Sequence, residues 1–211
     1  MPVAEGSAPV STEQIRELRE RTGAGIVECK KALLQAGGKV EEAVKILRAK
    51  GASIAVEKAG REARQGLIGS YVHAGKIGVL VEVNCETDFV ARTEQFKGFV
   101  HDVCLQVASM NPVYVSRDDV PPEEIGSELE HLHEEIAGVD EEASQPIQQA
   151  HMERFFKERV LLDQPFVKDS SKTVQDLLHE TVTSTRENVQ IRRFVRITLG
   201  EVLQGSAGAS R

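Results

Sequence analysis

Apolar positions recur at helical spacing through the first fifty residues. Ser11 opens a helix and Gln14, three residues on, completes a capping box. Ile15 and Leu18 supply its apolar stripe, and Thr22-Gly23-Ala24-Gly25 ends it. A second helix sets Ile26, Cys29 and Leu33 on one face until Gly37-Gly38 stops it. A third carries Val40, Ala43, Val44 and Leu47 at i, i+3, i+4 and i+7, with Gly51 closing the unit. Three short helices in so few residues predict a small bundle with little stability of its own. Residues 52–65 read as a helical linker, and residues 1–10 as a flexible tail.

The period then changes from 3.6 to 2. Gly66–His73 and Ile77–Asn84 are two strands separated by Ala74-Gly75-Lys76, a hairpin signal. Ile77, Val79, Val81 and Val83 share one face of the second. After Asp88 the helical period returns, with Phe96, Val100, Val103 and Val107 on one side as far as Asn111-Pro112. Two further helices follow, one holding Ile125, Leu129, Leu132 and Ile136, the other Ile147, Phe155 and Leu161. A helix from about Thr173 presents Val174, Leu177, Leu178 and Val182. The last element alternates again and places Val189, Ile191, Val195, Ile197 and Leu199 on one face. The fold class is therefore α+β: a three-helix bundle, then an antiparallel three-stranded sheet packed with helices and interrupted by a helical hairpin. The α+β core spans 66–203 and a disordered tail 204–211. Helices can cover one face of such a sheet, leaving the other for a second copy of the chain.

Composition narrows the function more than the fold. A net charge of −7 over 211 residues argues against general nucleic-acid binding, which needs a basic face. Residues 11–50 carry nine Lys/Arg against six Asp/Glu, whereas 117–163 carry four against fourteen, as expected of a solvated acidic hairpin. No apolar run approaches the ~20 residues of a membrane span, and the N-terminus has neither the basic nor the apolar region of a signal peptide. A cytoplasmic location is expected. Three widely spaced cysteines (Cys29, Cys85 and Cys104) form no C-x-x-C pair and suggest neither a disulfide framework nor a zinc site. Cys29 and Cys104 read as small buried hydrophobes.

Catalytic signatures are missing. There is no phosphate loop, since Gly23-Ala24-Gly25 follows a helix and not a strand. No G-x-S-x-G elbow occurs. His131 and His133, two apart on a helix, point about 200° apart and cannot share an ion. His101, His151 and His179 stand isolated among surface-like residues. We expect no catalytic residue, no metal site and no cofactor: a chain that works by contact and is not an enzyme.

Two segments carry a resemblance. IRELRERTGAGIVECKKAL (Ile15 to Leu33) and VEVNCETDFVA (Val81 to Ala91) are similar to the N-terminal helical module and the partner-entering segment of the elongation factor Ts family. GSYVHAGKIGVLVEV (Gly69 to Val83), QPFVKD (Gln164 to Asp169), SKTVQDLL (Ser171 to Leu178) and ENVQIRRFVR (Glu187 to Arg196) extend the match over roughly 11–203. The resemblance implies that residues 11–51 form a ubiquitin-associated-like module. It also implies a core that grips the GTPase elongation factor Tu and promotes GDP release. One T-D-F-V-A and one closing strand mark a short form with a single core unit, for which a homodimer is expected.

On this resemblance Thr87, Asp88, Phe89 and Val90 enter the partner: Phe89 as an apolar wedge, Asp88 as an acceptor that dislodges Mg²⁺, Thr87 capping the turn and Val90 backing Phe89. Arg19, Ile26 and Val27 dock the helical module, and His73 is a second contact of the core. On the residues alone, Phe89 reads as core at the start of its helix, Asp88 as an N-cap, and Ile26 equally as core or surface. Val27 lies off the apolar stripe and reads as exposed. Two rival functions stay open. One is an adaptor with a ubiquitin-associated-like module and a dimerising α+β domain. The other is an enzyme of unrecognised type using His73, Asp88 or the acidic hairpin.

Overall fold

The computed structural model describes residues 10–136 and 140–201, less the side chains of Glu135 and of 141–143. The tails expected at 1–10 and 204–211 lie outside the described residues, apart from Val10. Three helices lead: α1 (Thr12–Thr22), α2 (Ile26–Gln35) and α3 (Val40–Lys58). The capping box forms as read: Ser11 Oγ accepts from Gln14 N at 3.1 Å, and Gln14 Oε1 accepts from Ser11 N at 2.9 Å. Val10 and Ile15, flanking the cap, both pack on the bundle core, a hydrophobic staple that fixes how the chain enters α1. Leu18, Cys29, Ala32, Leu33, Ala43 and Val44 are buried between the three helices.

Gly51 does not close this unit. It lies inside α3, which runs on to Lys58 and crosses α8 (Val174–Thr185) at that point. A glycine costs a helix only about 1 kcal/mol, and packing of α3 against α8 outweighs it here. Ile54 and Ala55, beyond Gly51, pack onto the main core.

Strands β1 (Gln65–His73) and β2 (Ile77–Cys85) form the hairpin, and β5 (Gln190–Thr198) pairs antiparallel with β2, giving the order β1-β2-β5. Between them come a one-turn helix α4 (Asp88–Ala91), the long α5 (Glu94–Met110), and the excursion α6 (Pro122–Glu135) and α7 (Glu141–Arg159). A small hairpin of β3 (Pro165–Phe166) and β4 (Asp169–Thr173) precedes α8. α5 lays Phe96, Val100, Val103 and Val107 against Val79, Val81 and Val83 of β2 in one buried cluster.

The excursion has its own small core around Val120, Phe155 and Val160. Leu161, expected in that hairpin, falls beyond α7 and joins the main cluster. Inside the molecule Gln106 Nε2 donates to Gln164 Oε1 and to Pro165 O, each at 3.1 Å, while Gln106 Oε1 accepts from Val167 N at 2.9 Å. Both glutamines are fully buried and hydrogen-bonded, as burial of an amide requires.

The closing strand departs from the single apolar face expected of it. Arg193 pairs with Glu82 but Ile191 with Val83, so Arg192 is an extra residue, a β-bulge. A side-chain period of two means that one inserted residue exchanges the faces. Val189 and Ile191 stay in the core, and beyond the bulge Phe194 packs inward while Val195 and Ile197 face out. The open side of the sheet therefore carries Ile68, Val72, Leu80, Val195 and Ile197, each more than half exposed. Leu80 and Val195 are directly opposite each other across β2 and β5.

Candidate functional site

Strand β2 ends at Cys85, and the chain turns at once into α4. Thr87, with an extended backbone, is the N-cap: its Oγ1 accepts from Val90 N at 3.4 Å. Asp88 is thus the first helical residue and not the cap. Thr93 then caps α5, accepting from Phe96 N at 3.2 Å, so α4 is a single turn between two caps. Successive residues on a helix point about 100° apart, and the turn divides accordingly. Val90 and Ala91 face the main core, whereas Phe89 projects outward and is 79% exposed. Val90 thus anchors the turn from below.

Of the seven phenylalanines, the other six are buried or half-buried. Phe89 is the exception, on a turn held from beneath by its neighbours. Asp88 forms an ion pair with Arg92 at 2.8 Å, with both groups well exposed. Such pairs contribute ~1 kcal/mol or less, so the carboxylate can change partners at little cost.

The root of this finger is tied from a distant segment. Glu187 Oε2 accepts from Glu86 N at 3.1 Å and from Thr87 N at 3.0 Å, and Oε1 accepts from Thr87 Oγ1 at 2.6 Å. Glu86 returns the link by accepting from Asn188 N at 2.6 Å. Cys85 donates its thiol to Thr87 O at 3.1 Å. Burial, with the nearby charge of Glu187, pushes that thiol up to about 11, so it is a neutral donor at physiological pH. Sequence reading missed Glu187 and Asn188 because they stand about a hundred residues away.

The other expected contacts fall elsewhere. Arg19 is in the last turn of α1, its carbonyl accepting from Gly23 N at 2.8 Å. Gly23 adopts φ 65°, a left-handed conformation that ends the helix and that glycine reaches without penalty. Ile26 and Val27 open α2 and are 57% and 64% exposed. Ile26 is therefore surface, and the buried stripe of α2 is Cys29, Ala32 and Leu33. Arg19, Ile26 and Val27 thus gather around the α1–α2 turn. His73 is not brought to the finger. It ends β1, its Nδ1 sharing a 3.0 Å hydrogen bond with Tyr71 Oη, while Gln65 at the other end of that strand pairs with Cys85. Eight residue steps along the strand separate the two ends, roughly 26 Å.

A cavity of about 520 Å³ lies between the α1–α2 turn, α3 and α8. Its wall includes His179 and Glu180. His179 is half-buried in the α3–α8 contact, contrary to the surface setting expected, and burial holds its imidazole below the usual range. Burial likewise raises the Glu180 carboxyl, which Lys172 engages at 2.7 Å. These shifts follow from helix packing and an ion pair. No group of three or more His, Cys, Asp or Glu side chains among the described residues is placed to hold a metal. No described helix is long and apolar enough to cross a membrane.

A family model described as Elongation factor TS matches residues 9–201. A relative from Thermoanaerobacter sp. (strain X514), named Elongation factor Ts, is 49% identical over 201 residues, 94% of this chain and 98% of the relative. Relatives of the same name come from Caldanaerobacter subterraneus subsp. tengcongensis, 48% identical over 92% of this chain and 99% of the relative, and from Thermodesulfovibrio yellowstonii, 46% identical over 91% and 97%.

Proposed function

The chain belongs to the elongation factor Ts family of translation factors, and on that premise we propose that it is the guanine-nucleotide exchange factor for elongation factor Tu. It works in the cytoplasm by contact, without covalent chemistry and without touching nucleic acid. The observation that carries this reading is the exposure of Phe89 on a braced turn.

An exchange factor must bind the nucleotide-free GTPase better than the loaded one. Linkage then makes it lower nucleotide affinity by the factor that nucleotide lowers its own. Phe89 supplies such a preference if its ring enters an apolar slot that is open only in the nucleotide-free arrangement. Burying the ring stabilises by roughly 1.5–3 kcal/mol, about ten- to a hundredfold in affinity. Asp88 leaves Arg92 and presents a competing acceptor beside the Mg²⁺ that bridges nucleotide and GTPase. Thr87 fixes the direction of the turn and Val90 anchors it. Arg19, Ile26 and Val27 dock the helical module on the GTPase domain, and His73, remote from the finger, makes a separate contact. Two copies associate through the open faces of their sheets, so that each dimer offers two fingers.

The test is release of a fluorescent GDP from elongation factor Tu, chased with unlabelled GDP. The wild-type protein accelerates release, and Phe89→Ala loses at least tenfold of that acceleration with an unchanged melting temperature, because the ring is solvent-exposed. Equal acceleration by both proteins would move the mechanism away from the wedge. No acceleration by a folded wild type, with an active GTPase, would leave an adaptor as the better account.

A further inference from the structure

We infer that Glu187 is a positioning residue for the finger, and that with Asn188 it locks the finger to the end of α3. The inference rests on the exchange-factor reading for its functional consequence, though not for its geometry.

Strand pairing ends at Cys85, and the next two backbone N–H groups, of Glu86 and Thr87, have no ladder partner. A buried or half-buried N–H without an acceptor is costly. Here both are taken by one oxygen of Glu187, while the other oxygen receives the Thr87 hydroxyl. A charged acceptor makes such bonds shorter and stronger than neutral ones. Three bonds on two adjacent residues define both the position and the orientation of the root from which Phe89 projects.

The brace has a second arm. Asn188 is buried, and its carboxamide donates to Arg61 O at 2.6 Å and to Ala59 O at 3.4 Å, at the C-terminal end of α3. Its own N–H goes to the Glu86 carboxylate. Three segments remote in sequence, 59–61, 86–87 and 187–188, thus meet in one hydrogen-bonded knot. The chain enters it through Arg186, whose φ of 60° is left-handed, a conformation more usual for glycine or asparagine. That turn ends α8 and brings Glu187 back beneath the finger. A ring held this way reaches its slot without first being ordered, which lowers the entropic cost of the step in which the finger enters the docked partner, while docking itself rests on the α1–α2 turn.

A purely structural role predicts something different: general weakening of the fold, independent of Phe89. A double-mutant cycle on GDP release separates the two. Glu187→Ala is expected to reduce the maximal acceleration about tenfold at saturating factor. The half-saturating concentration should stay within threefold, since the α1–α2 turn is untouched. In a Phe89→Ala background the same change should cost less than twofold. Glu187→Gln, whose carbonyl can serve both N–H groups and whose amide can donate to Thr87 Oγ1, should stay within threefold of wild type. Amide hydrogen exchange of residues 86–90 in the free protein gives a readout without any GTPase: at least tenfold faster in Glu187→Ala and unchanged in Phe89→Ala. Glu187→Asp, which withdraws the charge by one methylene, shows the same order of effects in smaller measure if Glu187→Ala does not fold. Wild-type exchange by Glu187→Ala, or an equal loss with and without Phe89, would overturn the inference. A wild-type protein that never accelerates GDP release, yet shows the expected protection of 86–90, would overturn only the exchange-factor reading.

Discussion

Gly69 sits where α5 crosses β1, and a Cβ there would stand 2.4 Å from Val100 Cγ1 and 2.9 Å from Cys104 Sγ. Neither neighbour can yield easily: both are buried, and a β-branched valine in a helix has one strongly preferred rotamer. Gly69→Ala therefore overpacks the core, at a cost of ~1–3 kcal/mol. Gly51 shows the opposite balance. A Cβ there meets Thr183 Oγ1 at 3.4 Å and His179 Cβ at 3.6 Å, ordinary contacts, and alanine is favoured over glycine inside a helix by up to about 1 kcal/mol. We predict that Gly69→Ala melts several degrees below wild type, at roughly 2–4 °C per kcal/mol for this length, and that Gly51→Ala melts at or above it. Both are to be read by calorimetry at one protein concentration, because self-association would make melting concentration-dependent. A higher melting temperature for Gly69→Ala than for Gly51→Ala would contradict the close approach of α5. The sequence shows neither sign, because each depends on how closely a helix from elsewhere in the chain lies across the glycine.

At the scale of elements, local chemistry was legible and cross-element register was not. The capping box at Ser11, the hairpin turn and the stripe of α5 each depend on residues within a few positions, and each formed where the pattern placed it. The bulge at Arg192 depends on how β5 meets β2, so the alternation of Val189 to Leu199 could not show that its second half turns outward. Gly51 was misread as a stop for the same reason: α8, which supports α3 there, is more than a hundred residues away. The site divides likewise. Its finger was visible only through the family resemblance of T-D-F-V, since on the residues alone Phe89 reads as core although it is exposed, and its brace, Glu187, was not visible at all. The contact between α3 and α8 also carries a pH prediction through His179. Burial lowers its folded pKa, Asp176 opposing in part, whereas the unfolded value is about 6.5. Above that pH the imidazole is neutral in both states and contributes nothing to the pH dependence. As pH falls through it, the unfolded chain binds the proton first, so stability declines. Glu180, raised by burial, acts in the other sense, since the folded state takes its proton first. The effect of His179 is therefore read as a difference. Between pH 7.5 and 5.5 the melting temperature of His179→Gln should fall less steeply than that of wild type, and parallel curves would exclude the histidine as the cause.

For the whole molecule, the decisive surface is the open side of the sheet. A chain of 23.1 kDa with helices on one face of three strands leaves Ile68, Val72, Leu80, Val195 and Ile197 on the other. Contiguous apolar surface of this kind on a soluble protein marks an interaction site. Face-to-face sheet packing is a common way to bury it, and a two-fold axis lets one patch serve both partners. The strand order β1-β2-β5 also leaves two edges, β1 and β5, so a dimer could instead form edge to edge through backbone hydrogen bonds. Leu80 on the central strand separates these arrangements. In a face-to-face dimer Leu80→Lys places a charge on each side of the interface with no partner, which strongly disfavours association. In an edge-to-edge dimer the same side chain stays in water and changes little. Sedimentation equilibrium should therefore give twice the chain mass for wild type and the single chain mass for Leu80→Lys at the same concentration. The circular dichroism of the two should match, because Leu80 lies outside the protomer core. A Leu80→Lys dimer would move the interface to the strand edges. A monomeric wild type would mean that the exposed face belongs to another partner.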